Sequence, residues 1–194
     1  LAGNIGSELQ FDIDAAQYEI AQKLEIAMLL NPSRAAGSVT AKASMGGLLG
    51  SITTNKTADS GSVDETALQE DFRKVVNAGG TPRVIIASTK MSQDIGNIYK
   101  GRIRDDVINT LGGNKITTIL DPIAPVPIPI IPHKLMPIGM YMVLDTARLA
   151  ILWLIPFKET PLAKTRRGET RMINGAYSLK IANEEAHAIR YGFS

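Results

Sequence analysis

Residues 62–101, SVDETALQEDFRKVVNAGGTPRVIIASTKMSQDIGNIYKG, read as a helix, a strand and a helix in direct succession. Ser62 and Glu65 have the spacing of a capping box, in which side chains and backbone satisfy each other's donors. Leu68, Phe72 and Val75 recur at spacings of three and four and predict the buried stripe of the first helix. Gly79-Gly80 supplies its stop. Arg83 to Ala87 predicts a buried strand. Ser88 then caps a helix with Met91, Ile95 and Ile98 inward and Gly101 near its end. Such a unit signs an α/β or α+β layer.

Before this unit, Leu9, Ile13, Ala16, Ile20, Leu24 and Ala27 mark one face of an amphipathic helix. Asp12, Asp14, Glu19 and Glu25 make that helix acidic. Asn31-Pro32 ends it, because a residue before proline avoids the α region. At 1.5 Å per residue the helix is about 30 Å long and needs a long surface to lie on. Residues 33–62 are rich in Gly, Ala, Ser and Thr and read as a long, weakly structured crossing. Leu1, in place of Met, reads as an internal point of a longer chain.

After Gly112-Gly113 the pattern turns to strands. Lys115 to Leu120 is short and β-branched. Residues 123–132 carry prolines at 125, 127, 129 and 132, which predicts an edge strand or an extended polyproline-like segment. Tyr141 to Leu144 and Leu149 to Leu154 read as a hairpin around Asp145-Thr146-Ala147-Arg148. Gly175 to Ala182 and Ala186 to Tyr191 read as a final strand pair. The apolar run from Leu135 to Phe157 is not read as a membrane span, because Asp145 and Arg148 near its centre are costly in lipid.

With 194 residues, 44% hydrophobic and 21% charged, the chain is ordinary globular material with enough length for a core. It has no cysteine, which removes disulfides, thiolate metal sites and thiol nucleophiles together. A formal charge of +2 does not indicate a dedicated nucleic-acid binder.

Chemistry-bearing motifs are weak. His133 follows a proline run, and His187 falls in a surface turn, Asn183 to His187, whose members splay apart; no metal is expected. Gly46-Gly47-Leu48-Leu49-Gly50-Ser51 lacks the lysine of a phosphate loop, and Gly79-Gly80 ends a helix where phosphate needs a helix start. Both glycine groups read as backbone geometry. Asp12/Asp14 and Asp105/Asp106 do not converge on one reacting atom. No Gly-x-Ser-x-Gly elbow is present. No catalytic residue and no cofactor are expected. The main charge feature is Lys164-Thr165-Arg166-Arg167-Gly168-Glu169-Thr170-Arg171. Lys164, Arg166, Arg167 and Arg171 are expected either to face an acidic neighbouring subunit or packed nucleic-acid phosphates, or to form a plain solvated loop. An acidic helix and a basic loop on one chain suit head-to-tail association.

Three stretches carry a family resemblance. They are residues 23–30 with Met45-Gly46-Gly47-Leu48, Tyr141 to Asp145 with Leu152-Trp153-Leu154, and Pro161 to Thr165 with Tyr177 to Ala188. With the order of elements, they resemble tailed-bacteriophage major capsid (major head) proteins of the Podoviridae-type group. The resemblance implies an α+β capsid fold shared with the herpesvirus capsid floor. It implies a peripheral domain on a long spine helix and an axial α/β domain. The division expected is 1–61 for the spine helix and crossing, 62–140 for the axial domain, and 141–194 for strands returning to the peripheral domain. The N-terminal arm and extended loop of such subunits are not visible here. The implied function is a self-assembling shell that packages double-stranded phage or prophage DNA, located in the virion capsid and assembled in the host cytoplasm. Implied partners are copies in hexamers and pentamers, portal and scaffolding proteins, and DNA bound without sequence specificity, with no membrane. Two alternatives stand beside it: a cellular nanocompartment shell of the same fold, and a small α/β enzyme binding an anionic ligand in one deep pocket.

Overall fold

The computed structural model describes residues 5–100, 103–107, 115–124, 126–163 and 170–193. The chain divides into two compact units, Leu1–Leu48 with Ile151–Lys180, and Leu49–Ala150 with Ile181–Ser194. These junctions differ from those expected at 61/62 and 140/141.

Unit 1 is a helix and a ribbon. α1 (Ile5–Leu30) has 26 residues, about 39 Å of rise, and stops one residue before Asn31-Pro32. Ile13 and Leu29 are buried on it, and Leu9, Ala16, Ile20, Leu24 and Ala27 are half-buried, so the expected stripe is the packed one. The crossing after α1 turns back at once. The Gly47 N–H donates to the Asn31 carbonyl at 3.0 Å, and the Asn31 side-chain amide donates to the Met45 carbonyl. A Cβ on Gly47 would sit 2.6 Å from the Ala27 carbonyl oxygen and 2.8 Å from the Asn31 nitrogen, so glycine is needed for this approach. The ribbon is β7 (Leu149–Pro161) with β8 (Arg171–Ile181).

Unit 2 begins with the short helix α2 (Leu48–Ser51) and β1 (Lys56–Ala58). α3 (Glu65–Asn77), β2 (Val84–Ala87) and α4 (Thr89–Ile98) form the helix–strand–helix unit. The cap of α3 is Asp64 and not Ser62: the Asp64 carboxylate accepts from the Ala67 N–H at 2.8 Å. Leu68, Phe72 and Val75 are fully buried, and Gly79 (φ +77°) turns the chain out of the helix. Ser88 caps α4 by accepting from the Met91 N–H.

β3 (Ile103–Val107), β4 (Lys115–Ile119), β5 (Ile128–Pro132), β6 (Met140–Leu144) and β9 (Ala188–Tyr191) complete a sheet with order β1-β9-β6-β2-β5-β4-β3. β1–β9 and β2–β5 are parallel; the other neighbours are antiparallel. Leu68, Phe72, Val75, Met91, Ile95 and Tyr99 cover one face, against Ile85, Tyr141, Val143 and Ala188.

Three strand expectations are corrected. The proline-rich strand is interior, between β2 and β5's other partner β4. It tolerates this because Pro129 precedes the run paired to β2. Pro132, for its part, lies beyond the two-residue pairing with β4. The His133 N–H donates to Ala87, so the Pro132 nitrogen faces away from β2. The expected Tyr141–Leu154 hairpin does not form either. β6 is buried at every residue and lies between β2 and β9, whereas β7 leaves it for the ribbon with β8. Asp145 starts a 3-10 turn, Thr146–Arg148, which redirects the chain. Of the expected final strand pair, β8 therefore stays in unit 1 and β9 enters the sheet of unit 2.

Gly47→Ala is expected to destabilise the chain by about 2 kcal/mol through overpacking against the end of α1. Gly96→Ala, at an open position of α4, is expected to stabilise by about 1 kcal/mol. Thermal unfolding of the two variants should shift in opposite directions.

Candidate functional site

The expected site residues fall unevenly. Lys164, Arg166 and Arg167 lie outside the described residues. Arg171 opens β8 and pairs with Glu159 on β7, within its own ribbon. Asp12 and Asp14 are exposed on α1, and the side chains of Asp105 and Asp106 lie outside the described set. Gly47 makes a close approach to the end of α1, and Gly79 a helix exit, which supports the backbone reading of both glycine groups. Among the described residues no group of three or more His, Asp or Glu could hold a metal, and no helix is long and apolar enough to cross a membrane.

Sequence reading missed the main polar cluster. Arg190 on β9 is 4% exposed, yet it faces three carboxylates. Its Nε and Nη2 grip the Asp71 carboxylate at 2.9 Å each. Nη1 reaches Asp59 at 2.8 Å and Nη2 also reaches Glu70 at 3.0 Å. The Tyr141 hydroxyl donates to Asp71 at 2.7 Å, and Lys74 adds a cation at 2.9 Å from Glu70. Hydrogen bonding from Arg190 holds Asp59 below its ordinary range, and bonding from Lys74, then Arg190, does so for Glu70. Burial, then the Asp71 charge, pushes the Tyr141 hydroxyl up. Two signals were available: an acid within the stripe Leu68, Asp71, Phe72, Val75, and one cation in the apolar strand around Ile189.

A second cluster corrects the reading of His187, which is fully buried and not on a surface turn. Its Nδ1 accepts from the Asp145 N–H at 3.2 Å, so Nε2 carries the proton of the neutral ring. Among the described residues Nε2 has no partner. Burial is the largest influence and pulls the His187 pKa down; the Asp145 charge opposes it. Asp145 accepts from the Thr81 and Ala147 N–H groups at 3.1 Å each and pairs with Arg83 and Arg148. Glu184 accepts from both the backbone and the hydroxyls of Thr53 and Thr54. Apart from His187 Nε2, the groups named here are bonded within their own clusters.

What stays open is apolar. Along β7, Leu152 is 52% exposed, Trp153 49%, Leu154 83% and Ile155 49%. Trp153, Phe157 and Tyr177 pack edge to face or tilted, with centroids 5.7–6.2 Å apart. With Ile173 and with Ile20, Ala21 and Leu24 of α1, Trp153 and Phe157 line a groove of about 480 Å³. In unit 2, a cleft of about 330 Å³ lies among Val63, Lys90, Asp94, Asn97, Ile138 and Phe193. Exposed apolar surface concentrated on one ribbon marks an interaction surface and not a catalytic pocket.

Arg190→Leu is expected to cost about 3–5 kcal/mol, because it strands the buried Asp71 charge. Adding Asp71→Leu should recover part of that loss in a double-mutant cycle of denaturant unfolding. For His187 the folded pKa lies below the unfolded 6.5, so the unfolded chain takes up more protons on acidification. Stability is therefore expected to be fully present above pH 6.5 and to fall as pH drops below it. His187→Asn should flatten that part of a stability–pH profile.

Comparison with known proteins adds three findings. The family model described as SU10 major capsid protein matches residues 2–193. No curated protein sequence matches the chain. Among solved structures, the chain resembles the SrpI encapsulin of Synechococcus elongatus, in its holo complex. TM-score is 0.61 and identity 16%, over 91% of this chain and 63% of that one. It also resembles a chain of the satellite phage P4 procapsid that includes the size determination (Sid) protein. There TM-score is 0.56 and identity 13%, over 95% of this chain and 64% of that one. Both likenesses are of fold, and the chain spans under two thirds of either subunit's length.

Proposed function

The chain belongs to the SU10 major capsid protein family, a structural and not an enzymatic family, and on that premise we propose that it is the shell subunit of a phage or prophage head. Copies gather in hexamers and pentamers and close an icosahedral shell around double-stranded DNA. The shell forms in the host cytoplasm and ends as the virion capsid. Portal and scaffolding proteins are its assembly partners.

The observation that carries this reading is the ribbon, whose long strand β7 keeps Leu152, Trp153, Leu154 and Ile155 about half or more exposed. A two-stranded ribbon is marginal by itself, and a subunit that covers such a ribbon with its neighbours gains both order and affinity. In this reading α1 is the spine helix and unit 1 the peripheral domain, while unit 2 is the axial domain at the capsomer centre. The kinship with the herpesvirus capsid floor belongs to the same proposal. Lys164, Arg166, Arg167 and Arg171 follow the tip of β7 and present cations to an acidic neighbour or to DNA. Arg171 is also paired to Glu159 within the ribbon.

The experiment is size-exclusion chromatography and electron microscopy of the whole gene product. Rings or closed shells are expected, and a strict monomer over a wide concentration range would overturn the proposal. Arg166→Glu combined with Arg167→Glu is expected to lower the yield of assembled particles several-fold at low salt while leaving thermal unfolding of the subunit unchanged.

A further inference from the structure

Unit 1 has two outward apolar faces of unlike charge. At 100° per residue, Ile13, Ala16, Ile20 and Leu24 share one side of α1, and Phe11, Tyr18 and Ile26 share the opposite side. Those three outward residues are 72%, 61% and 41% exposed. Glu8, Asp12 and Asp14 flank them and are exposed. The ribbon has two sides as well. Trp153, Phe157 and Ile173 line the groove with α1, so strand alternation turns Leu152, Leu154, Lys158, Met172 and Lys180 to the other face. Leu154 is 83% exposed there, and Lys158 and Lys180 are exposed beside it. The residues that alternate with them on that face, Pro156, Thr160, Asn174, Ala176 and Ser178, include no carboxylate. One face of unit 1 is thus apolar with an acidic rim, and the other is apolar with lysines.

We propose that the outer face of α1 in one copy docks on the outer face of the β7–β8 ribbon in a second copy, head to tail. The inference rests on the shell-subunit reading and names an interface for it. Charge chooses the occupant. Packing α1 on α1 would set Asp12 and Asp14 against their own kind, and packing ribbon on ribbon would do the same for Lys158 and Lys180. Like-charge contact is costly across an interface, whereas helix on ribbon brings acid to base. Each copy then uses both faces, so the contact propagates and closes into a ring when its rotation permits.

The absence of native cysteine allows a direct test by introduced pairs. In the whole gene product, a chain carrying both Phe11→Cys and Leu154→Cys is expected to give, on oxidation, a ladder of dimer, trimer and higher species on a denaturing gel. Each single variant should stay monomeric, and their mixture should stop at dimer. Asp12→Lys with Asp14→Lys is expected to reduce the ladder at least tenfold at low salt, and adding Lys158→Glu with Lys180→Glu to the same chain should restore it. No ladder, self-dimers of either single variant, or a ladder indifferent to the charge reversals overturns the interface. The two proposals separate cleanly: particles without the ladder sink this contact and spare the shell reading, and the ladder without particles does the reverse.

Discussion

Unit 2 depends on a single cation. Arg190 enters the sheet on β9, the strand that joins β1 to β6, and is tied there by Asp71 and Glu70 of α3 and by Asp59 just after β1. A guanidinium taken out of water is tolerated only when its fork is filled, and this one is filled on both sides. The ion cluster therefore fixes which strand can lie between β1 and β6. An apolar residue at 190 would bury as well but would not select β9 over another short apolar strand. The Tyr141 hydroxyl closes the remaining side of Asp71, so strand β6, strand β9 and helix α3 are locked at one point.

A second polar lock stands where β6 ends. Asp145 gathers backbone donors from Thr81 and Ala147 and the side chains of Arg83 and Arg148, while its own N–H rests on His187. The chain leaves the sheet here and enters the ribbon. Fixing the departure with charge, and the core with Leu68, Phe72, Ile85 and Val143, gives unit 2 its internal satisfaction. Most of its buried polar groups are bonded within the unit, the His187 Nε2 and the Ser92 hydroxyl being exceptions among the described residues. Unit 1 differs in that many of its large apolar side chains, Leu152 to Ile155 among them, are exposed beside its charged ones.

How much of this could be read from the sequence follows the range of the interactions. Helix stripes, the Ser88 cap, the glycine stop after α3 and the proline stop after α1 are local, and each was legible. The chain's kinship was legible too, through the order of elements and a few stretches such as Tyr177 to Ala188. Strand partners were not. Tyr141 to Leu144 and Leu149 to Leu154 are close in sequence and apolar, which invites a hairpin, but only full burial of β6 shows that it needs a partner on each side. The interior place of a strand with Pro129 and Pro132 depends on the parity of its pairing, which composition does not reveal. His187 looked like a turn residue because its neighbours Glu184 and Glu185 are acidic. Its burial depends on Asp145, which is distant in sequence.

The exposed apolar surface of unit 1 has a consequence for how tightly copies can hold one another. Burying a large apolar side chain contributes roughly 1.5–3 kcal/mol. Six such residues on the two docking faces, Leu152, Leu154 and Met172 of the ribbon and Phe11, Tyr18 and Ile26 of α1, are between 41% and 83% exposed. Covering them would therefore contribute on the order of 5–9 kcal/mol, against an association cost of roughly 4–15 kcal/mol for lost translation and rotation. One contact of this kind is close to break-even. A ring is different, because the last contact closes without a further loss of translational freedom. An exposed ribbon of this size thus suits a subunit whose single contacts are weak enough to reverse while errors are corrected, and whose shell is stable only when closed.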